Sequence, residues 1–345
     1  MLSSQFEVRE PSAVSMDVML RSLLLYPVHI FLMLFSCNVS VAGLVCCGMK
    51  MLVFGGSGRT GQVLVRVAQQ MGWQVQAPAH AECELADARA VSDLVLASDA
   101  ALVVNAAAIS GLEACLDDPL KAHVVNAVAP AAMALACRHT GARFVHLSTD
   151  YVLDGRRAGK KMESAKCKPV SVYGESKREG ELQVLDALPG ALVARVSWIC
   201  GNPLKPAFVE QLLMKALAGQ ALAAIADKQS MPTDAEDIAR VVLALAASPE
   251  RGVLHVCAGG EPLSWYDCAV LALQTAVESG YLAAVPQVAM QKRAEVPFFR
   301  EERPAYTAMD NSKLLSLGIP MPDAAETIRR VSLRFLNERY TAALT

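Results

Sequence analysis

Tyr173-Gly-Glu-Ser-Lys177 sets a phenol and an amine one helical turn apart. Side chains at i and i+4 share a helix face. An ammonium beside a phenol favours the phenolate and is expected to lower the tyrosine pKa. Such a phenol can hand a proton to a carbonyl oxygen while hydride arrives at the carbon. The lysine can also hold a ribose. Tyr-x-x-x-Lys alone is a common spacing, and its meaning depends on what stands near it. The apolar run Phe144–Leu147 ends in Ser148-Thr149-Asp150-Tyr151, which offers a hydroxyl at Thr149 for the same oxygen.

A second constellation lies upstream. Gly55-Gly-Ser-Gly58-Arg59-Thr60-Gly61 follows an apolar run and precedes an amphipathic one. Glycines let backbone approach a pyrophosphate, and a helix N-terminus offers free N–H groups and a positive dipole end. Gly55, Gly58, Arg59, Thr60 and Gly61 are therefore expected to bind a dinucleotide. An NAD site usually shows an acid at the end of the second strand. Here that strand ends Gln76-Ala-Pro-Ala-His80. Arg59 suits a 2′-phosphate, so NADPH is preferred and NADH stays open. Asp87 either faces the adenine or caps the helix starting at Ala88. Asn105, Ala106 and Ala107 end the third apolar run, and their small side chains leave room for a nicotinamide.

These residues need a frame. From Met51 to Val196, short apolar runs alternate with amphipathic ones. Strands are expected at Met51–Gly55, Trp73–Ala77, Ala101–Asn105, Arg143–Leu147 and Ala191–Val196. Helices are expected at Thr60–Met71, Ala88–Ala97, Pro119–His139 (with Asp117 or Asp118 near its cap) and Val172–Leu188. Continuous apolar strands between helices mean a parallel sheet covered on both faces. The fold class is α/β: a doubly wound Rossmann domain over 49–197, with ligands beyond the carboxyl ends of its strands. A smaller α/β substrate-binding lobe covers most of 198–345, with some segments returning to the first domain. Helices there are expected at Ala207–Ala218, Asp234–Ala247, Ser264–Ser279 and Ala324–Arg339. Short strands are placed at Ala221–Ile225 and Val253–Val256, and Val285–Ala308 reads as Pro-rich and irregular.

Composition narrows the partners. The 345 residues are 53% hydrophobic with a net charge of −2, which argues for neither nucleic acid nor an anionic membrane. Lys160–Lys161 and Arg329–Arg330 are placed on solvated faces. The ten cysteines form no C-x-x-C pair and fit buried thiols in a reducing cytosol. No metal site is assigned. A homodimer and a metal requirement stay open. From Ser22 to Met49 there is no Asp, Glu, Lys or Arg. Three readings of 1–48 stand: a native start near Met49 or Met51, a membrane anchor, or a cleaved signal. The first is preferred, with a cytoplasmic protein and a membrane association only if the segment is real.

The motifs in order resemble the extended short-chain dehydrogenase/reductase superfamily, and more closely its dTDP-4-dehydrorhamnose reductase branch. Ser148-Thr-Asp-Tyr-Val-Leu-Asp-Gly155 resembles that branch's S-T-D-Y-V-F-D-G. Tyr173-Gly-Glu-Ser-Lys-Arg-Glu-Gly-Glu181 resembles Y-G-x-[ST]-K-x-x-G-E, and Arg195-Val-Ser-Trp198 resembles R-x-S-W. Asp227-Lys-Gln-Ser-Met-Pro-Thr233 resembles D-Q-x-G-x-P-T, with Lys228 and Ser230 as departures. Arg303-Pro304, Asp310 and Lys313 resemble its R-P…D…K ending. The resemblance implies reduction of a 4-keto nucleotide sugar, with Thr149, Tyr173 and Lys177 catalytic. It implies that Asp150, Trp198, Thr233 and Arg303 meet the substrate. Ala107-Ala-Ile-Ser-Gly-Leu-Glu-Ala-Cys115 departs from the branch's A-A-Y-T-x-V-D-x-A-E, so the sugar is open. The same branch includes the regulatory beta subunit of methionine adenosyltransferase, so a non-catalytic dinucleotide-binding role is an alternative, as is another sugar reductase or epimerase.

Overall fold

Alternation along each buried strand builds two cores from one sheet. In β1 (Lys50–Phe54), Met51 and Val53 face one core while Leu52 and Phe54 face the other. In β3 (Leu102–Asn105), Leu102 and Val104 split from Val103 in the same way. A period of two is what a strand imposes, and a strand apolar on both sides must be covered on both sides. This computed structural model describes residues 48–344, and side chains over 48–339. The 1–48 readings therefore fall, but for Gly48, outside the described residues.

The sheet has six strands in the order β10-β5-β4-β3-β1-β2. The others are β2 (Gln74–Gln76), β4 (Arg143–Thr149), β5 (Leu192–Val196) and β10 (Gly252–Val256). Every pairing is parallel. One face packs on α2 (Ala88–Ala97), α4 (Pro119–Thr140) and α5 (Val172–Ala187), through Val91, Val95, Met133, Cys137 and Val184. The other packs on α1 (Arg59–Gln70) and α7 (Ala235–Ala246), through Val63, Leu64, Val67, Ile238 and Val242. The expected doubly wound α/β fold is present. The 253–256 strand is a segment that returns to the first sheet. It pairs with β5 as the sixth strand, and α7 comes with it.

Other differences have local causes. Trp73 is not in β2, because its ring turns into the core. Helix α3 (Leu112–Asp117) was not expected, since six residues carry little periodicity. Asp118, not Asp117, caps α4 by accepting the Lys121 N–H at 2.9 Å. Within α4 the stretch Val124–Val128 is π-helical. Pro130 has no N–H for the Asn126 carbonyl, so the ladder must reset there. The stretch 285–308 is not wholly irregular. It holds β12 (Val288–Gln291), paired in parallel with β7 (Leu222–Ile225).

Beyond β5 the chain adds three two-stranded sheets. Helices α6 (Phe208–Leu217), α8 (Trp265–Glu278) and α10 (Ala324–Leu344) pack around Leu213, Cys268, Ile328 and Phe335. Ser264 and Asp267 cap α8 reciprocally. The described cysteines are free, six of the seven buried. Arg330 is not on a solvated face, because it pairs with Asp234 and Asp237. Lys161 also turns inward, to the carbonyls of Gly159 at 2.8 Å and Tyr306 at 3.0 Å.

Candidate active site

The carboxyl edge of the sheet collects the residues singled out above. β1 runs into Gly55, β3 ends at Asn105, β4 ends at Thr149, and α5 begins one residue before Tyr173. Ser171 caps α5 by accepting the Gly174 N–H at 3.2 Å. Gly174 is needed there, since an added Cβ would overlap the Tyr151 carbonyl. The Tyr173 ring meets Tyr151 edge-on, 5.7 Å between centroids.

The expected effect of Lys177 on Tyr173 is absent. Burial raises the phenol well above its ordinary value, and a hydrogen bond from Thr149 is what pulls the other way. Lys177 spends its amine elsewhere: on the Leu147 carbonyl at 2.7 Å and the His146 ring at 3.2 Å. It is itself buried, which lowers it to about 8. The phenol is thus held protonated, which suits an acid.

Residues not foreseen hold this arrangement. Glu181, two turns after Tyr173, is fully buried. It accepts from Ser148 Oγ at 2.6 Å, from Arg195 Nε at 2.7 Å and Nη2 at 2.8 Å, and from Arg178 at 2.7 Å. Burial pushes its carboxyl up, and Arg195, Ser148 and Arg178 together more than reverse that. The cluster pins α5 to β4 and β5, and so fixes where Tyr173 and Lys177 stand. Asn126, on the π-helical turn, exchanges two 2.9 Å bonds with the Ile109 backbone and donates to Ser176 at 3.0 Å. A polar residue inside the buried run Phe144–Leu147 was the available signal for His146. Its partners lie on other elements, so no spacing reveals them.

The glycine loop is built for close approach. Gly55 has φ +78°, and a Cβ there would lie 2.6 Å from the Ala107 nitrogen. A Cβ on Gly61 would overlap the Gly55 carbonyl. Gly58 precedes α1 with no side-chain cap, so the first N–H groups of that helix are left for a ligand. Thr60 is buried. Asn105 shapes the exit from its own strand by accepting the Ala107 N–H at 3.0 Å, and Ala106 N–H bonds the Phe54 carbonyl at 3.0 Å. A dinucleotide fits this cradle, because side chains that would fill it are missing. Arg59 lies on the rim with its Nε on the Lys205 carbonyl at 2.9 Å. Asp87 takes the capping role, accepting from Arg89 and Ala90 N–H at 2.9 and 3.1 Å.

The four residues assigned to substrate divide. Thr233 is wholly buried and bonds the Met231 carbonyl at 2.8 Å and the Ala258 N–H at 3.1 Å. That hydroxyl is engaged within the fold. Asp150 is buried too, accepting from Ser197 at 2.9 Å and Thr149 at 3.2 Å, so it braces Thr149. Trp198 is half-buried at φ +29°, stacked on Trp265 with centroids 5.2 Å apart. Arg303 pairs with Glu113 at 2.8 Å and lies over the Phe299 ring. Arg300 grips Asp117 through two 2.8 Å bonds, and Glu301 accepts the Val172 N–H at 3.0 Å. Residues 300–303 therefore strap the lobe to α3 and to the start of α5. Beneath them Lys228 is buried, 4.8 Å from the Tyr151 ring centroid, and donates to the Pro304 carbonyl at 3.1 Å.

Residues 49–336 match the model of the RmlD substrate binding domain. The chain belongs to that family. Among curated RmlD relatives, a spore coat polysaccharide biosynthesis protein, SpsK, of Bacillus subtilis is 31% identical over 85% of this chain and 99% of its own. A dTDP-4-dehydrorhamnose reductase of Burkholderia thailandensis is 32% identical over 80% of this chain and 95% of its own. Among solved structures, a dTDP-4-dehydrorhamnose reductase ortholog of Clostridium acetobutylicum superposes with a TM-score of 0.76 at 26% identity. It covers 84% of this chain and 100% of that one. This RmlD-family chain therefore spans its relatives nearly end to end.

Proposed function

We propose that this chain is an NAD(P)H-dependent oxidoreductase that reduces the 4-keto group of a dTDP-linked sugar. The observation that carries the reading is the phenol of Tyr173, held protonated by burial beside Thr149 at the sheet edge that bears the glycine cradle. Family membership and the dTDP-4-dehydrorhamnose reductase among its relatives support the substrate class.

Gly55–Gly61 would hold the phosphates of the cofactor, and Asn105–Ala107 would border its nicotinamide. When bound, NAD(P)H supplies the hydride. Arg59 keeps its outer nitrogens for a 2′-phosphate, which favours NADPH. Thr149 hydrogen-bonds the keto oxygen and sets its position, and Tyr173 gives that oxygen its proton as the hydroxyl forms. Lys177 borders the ribose. Trp198 and Arg303 line the sugar nucleotide, with Arg303 exchanging Glu113 for a diphosphate oxygen. Asp150 acts through Thr149, and Thr233 has no contact in this reading. A cytosolic location follows from the need for reduced cofactor.

Purified protein mixed with NADPH and dTDP-4-keto-6-deoxy-L-mannose should lose NADPH absorbance. Tyr173→Phe should cut kcat about 100-fold or more while cofactor binding persists. Tight NADPH binding with no oxidation across a panel of keto sugars would defeat the reading and leave a dinucleotide-binding regulatory protein.

A further inference from the structure

Residues 201–206 leave the lobe and reach back to the glycine loop. Their lobe end is fastened by two side chains. Glu210 of α6 is fully buried. One of its oxygens accepts the Gly201 N–H at 2.6 Å and the other accepts the Ala207 N–H at 3.0 Å. Arg334 of α10 donates to the Gly201 carbonyl at 2.9 Å.

The far side of the segment is fastened to α1. Asn202 is only 3% exposed, so its amide must find its partners within the protein. Its Oδ1 accepts the Leu204 N–H at 3.0 Å, which fixes the orientation of the amide. Its Nδ2 then donates to the Arg59 carbonyl at 2.8 Å and to Gln62 Oε1 at 3.1 Å. The Asn202 carbonyl accepts the Lys205 N–H at 3.1 Å and closes a turn. That turn presents the Lys205 carbonyl to Arg59 Nε–H at 2.9 Å. Arg59 is thus held at its backbone and at its side chain by one short loop.

The side-chain bond sets a direction. A guanidinium is a rigid planar fork, and two of its N–H groups can grip a phosphate together. With Nε–H on the Lys205 carbonyl, the Nη1/Nη2 end is what remains. Neither of these nitrogens makes a bond among the described residues. Arg59 is the first residue of α1, whose start has no side-chain cap. Free N–H groups and the helix dipole favour an anion there already.

We propose that residues 202–205 are a clasp, carried by the lobe, that presets Arg59 as a bidentate ligand for a phosphate of the dinucleotide. Asn202 and the Lys205 carbonyl are positioning groups in this arrangement, and Arg59 is the one that touches the cofactor. The proposal rests on the dinucleotide reading above and deepens it. An exposed arginine loses rotamer freedom when it takes hold of a ligand. Here the ordering accompanies folding, so binding costs less. The part of the chain that meets the sugar also sets a grip on the cofactor.

Calorimetric titration of the full chain with NADPH, and separately with NADH, tests the clasp. Arg59→Gln should weaken binding about thirtyfold. Asn202→Ala should weaken it about fivefold. The double variant should bind as Arg59→Gln does alone, because Asn202 acts through Arg59. Losses confined to NADPH would support the clasp with the 2′-phosphate in the fork. Equal losses with NADH would support it with the diphosphate there instead. Asn202→Ala weakening the Arg59→Gln chain as much as it weakens wild type would overturn the proposal, since a loop that only shapes the fold acts whatever stands at 59. If Asn202→Ala does not fold, Arg59→Lys decides. It keeps the charge at an exposed position but cannot bond the Lys205 carbonyl and offer a fork together. It should bind about tenfold more weakly, and binding equal to wild type would overturn the clasp. A wild-type chain that bound neither dinucleotide would defeat the cofactor reading itself. No sugar enters these titrations, so lack of turnover would count against the keto-sugar reading alone.

Discussion

Lys228 stands where the related pattern has glutamine, and it buries a charge to do so. Burial lowers its amine to about 8, although Asp150 pulls it up. Below that value the lysine is protonated in both folded and unfolded chains, so the burial cost is felt in full. Between about 8 and ~10.4 the unfolded chain keeps the proton that the folded one has lost. This contribution to stability therefore rises with pH across that window. Lys228→Met removes it. Its stability relative to wild type should fall by about 2.5 kcal/mol between pH 7 and pH 10, read by urea unfolding at both. A difference that ignores pH would show that the Tyr151 ring and the Pro304 carbonyl fully offset the burial. At this scale the sequence is uneven. Tyr173, Lys177 and Thr149 are legible because local spacing places them. His146, Glu181 and Arg195 meet from separate strands and a helix, and no spacing encodes that meeting. Thr233 shows the converse, since a motif position says nothing of which way a hydroxyl turns, and this one turns to the Met231 carbonyl.

Helices α4 and α5 touch at their tightest where Gly180 meets the Asn126 carbonyl. An added Cβ has no space there, and its obstacle is backbone, which cannot swing aside. Gly180→Ala should destabilise by about 2–4 kcal/mol, measured as a fall in Tm. It should also lower kcat, because Asn126 holds Ser176 in the same turn as Lys177. A variant as stable and active as wild type would mean that the two helices separate cheaply. Long elements were legible from periodicity, with ends correct to within a residue or two except in α10, which runs five residues past its expected end at Arg339. β12 was not, because its partner β7 lies more than sixty residues away and its four residues carry no alternation of their own. β10 was read as a strand without a partner, since an apolar run does not say which sheet will take it.

Across the whole described chain, the strap at 300–303 joins the later residues to the site edge. Burial raises Glu113, but the Arg303 hydrogen bond and charge, with backbone N–H bonds, outweigh it and hold the carboxyl below its ordinary value. The stabilisation is present above ~4.3 and is lost as pH falls through the depressed folded value. The Arg300–Asp117 pair is exposed and adds little by itself. Arg303→Met should thus free the strap. Backbone amides over 298–303 should exchange about tenfold faster, and the KM for sugar nucleotide should rise while NADPH binding holds. Exchange unchanged by the substitution would place the fastening in the backbone instead.

The π-helical turn in α4 carries a consequence for tolerance to change. Its extra residue puts the two halves of the helix out of phase. The leading half faces Ile109 and Ser176 through Asn126, and the trailing half faces the sheet through Met133 and Cys137. One rod thus serves two masters, each with its own angular setting. A single-residue deletion at Val124–Val128 would lock those settings together and swing one contact face away by about a quarter turn. The same slack lets the site end be retuned by substitution without disturbing the core behind it.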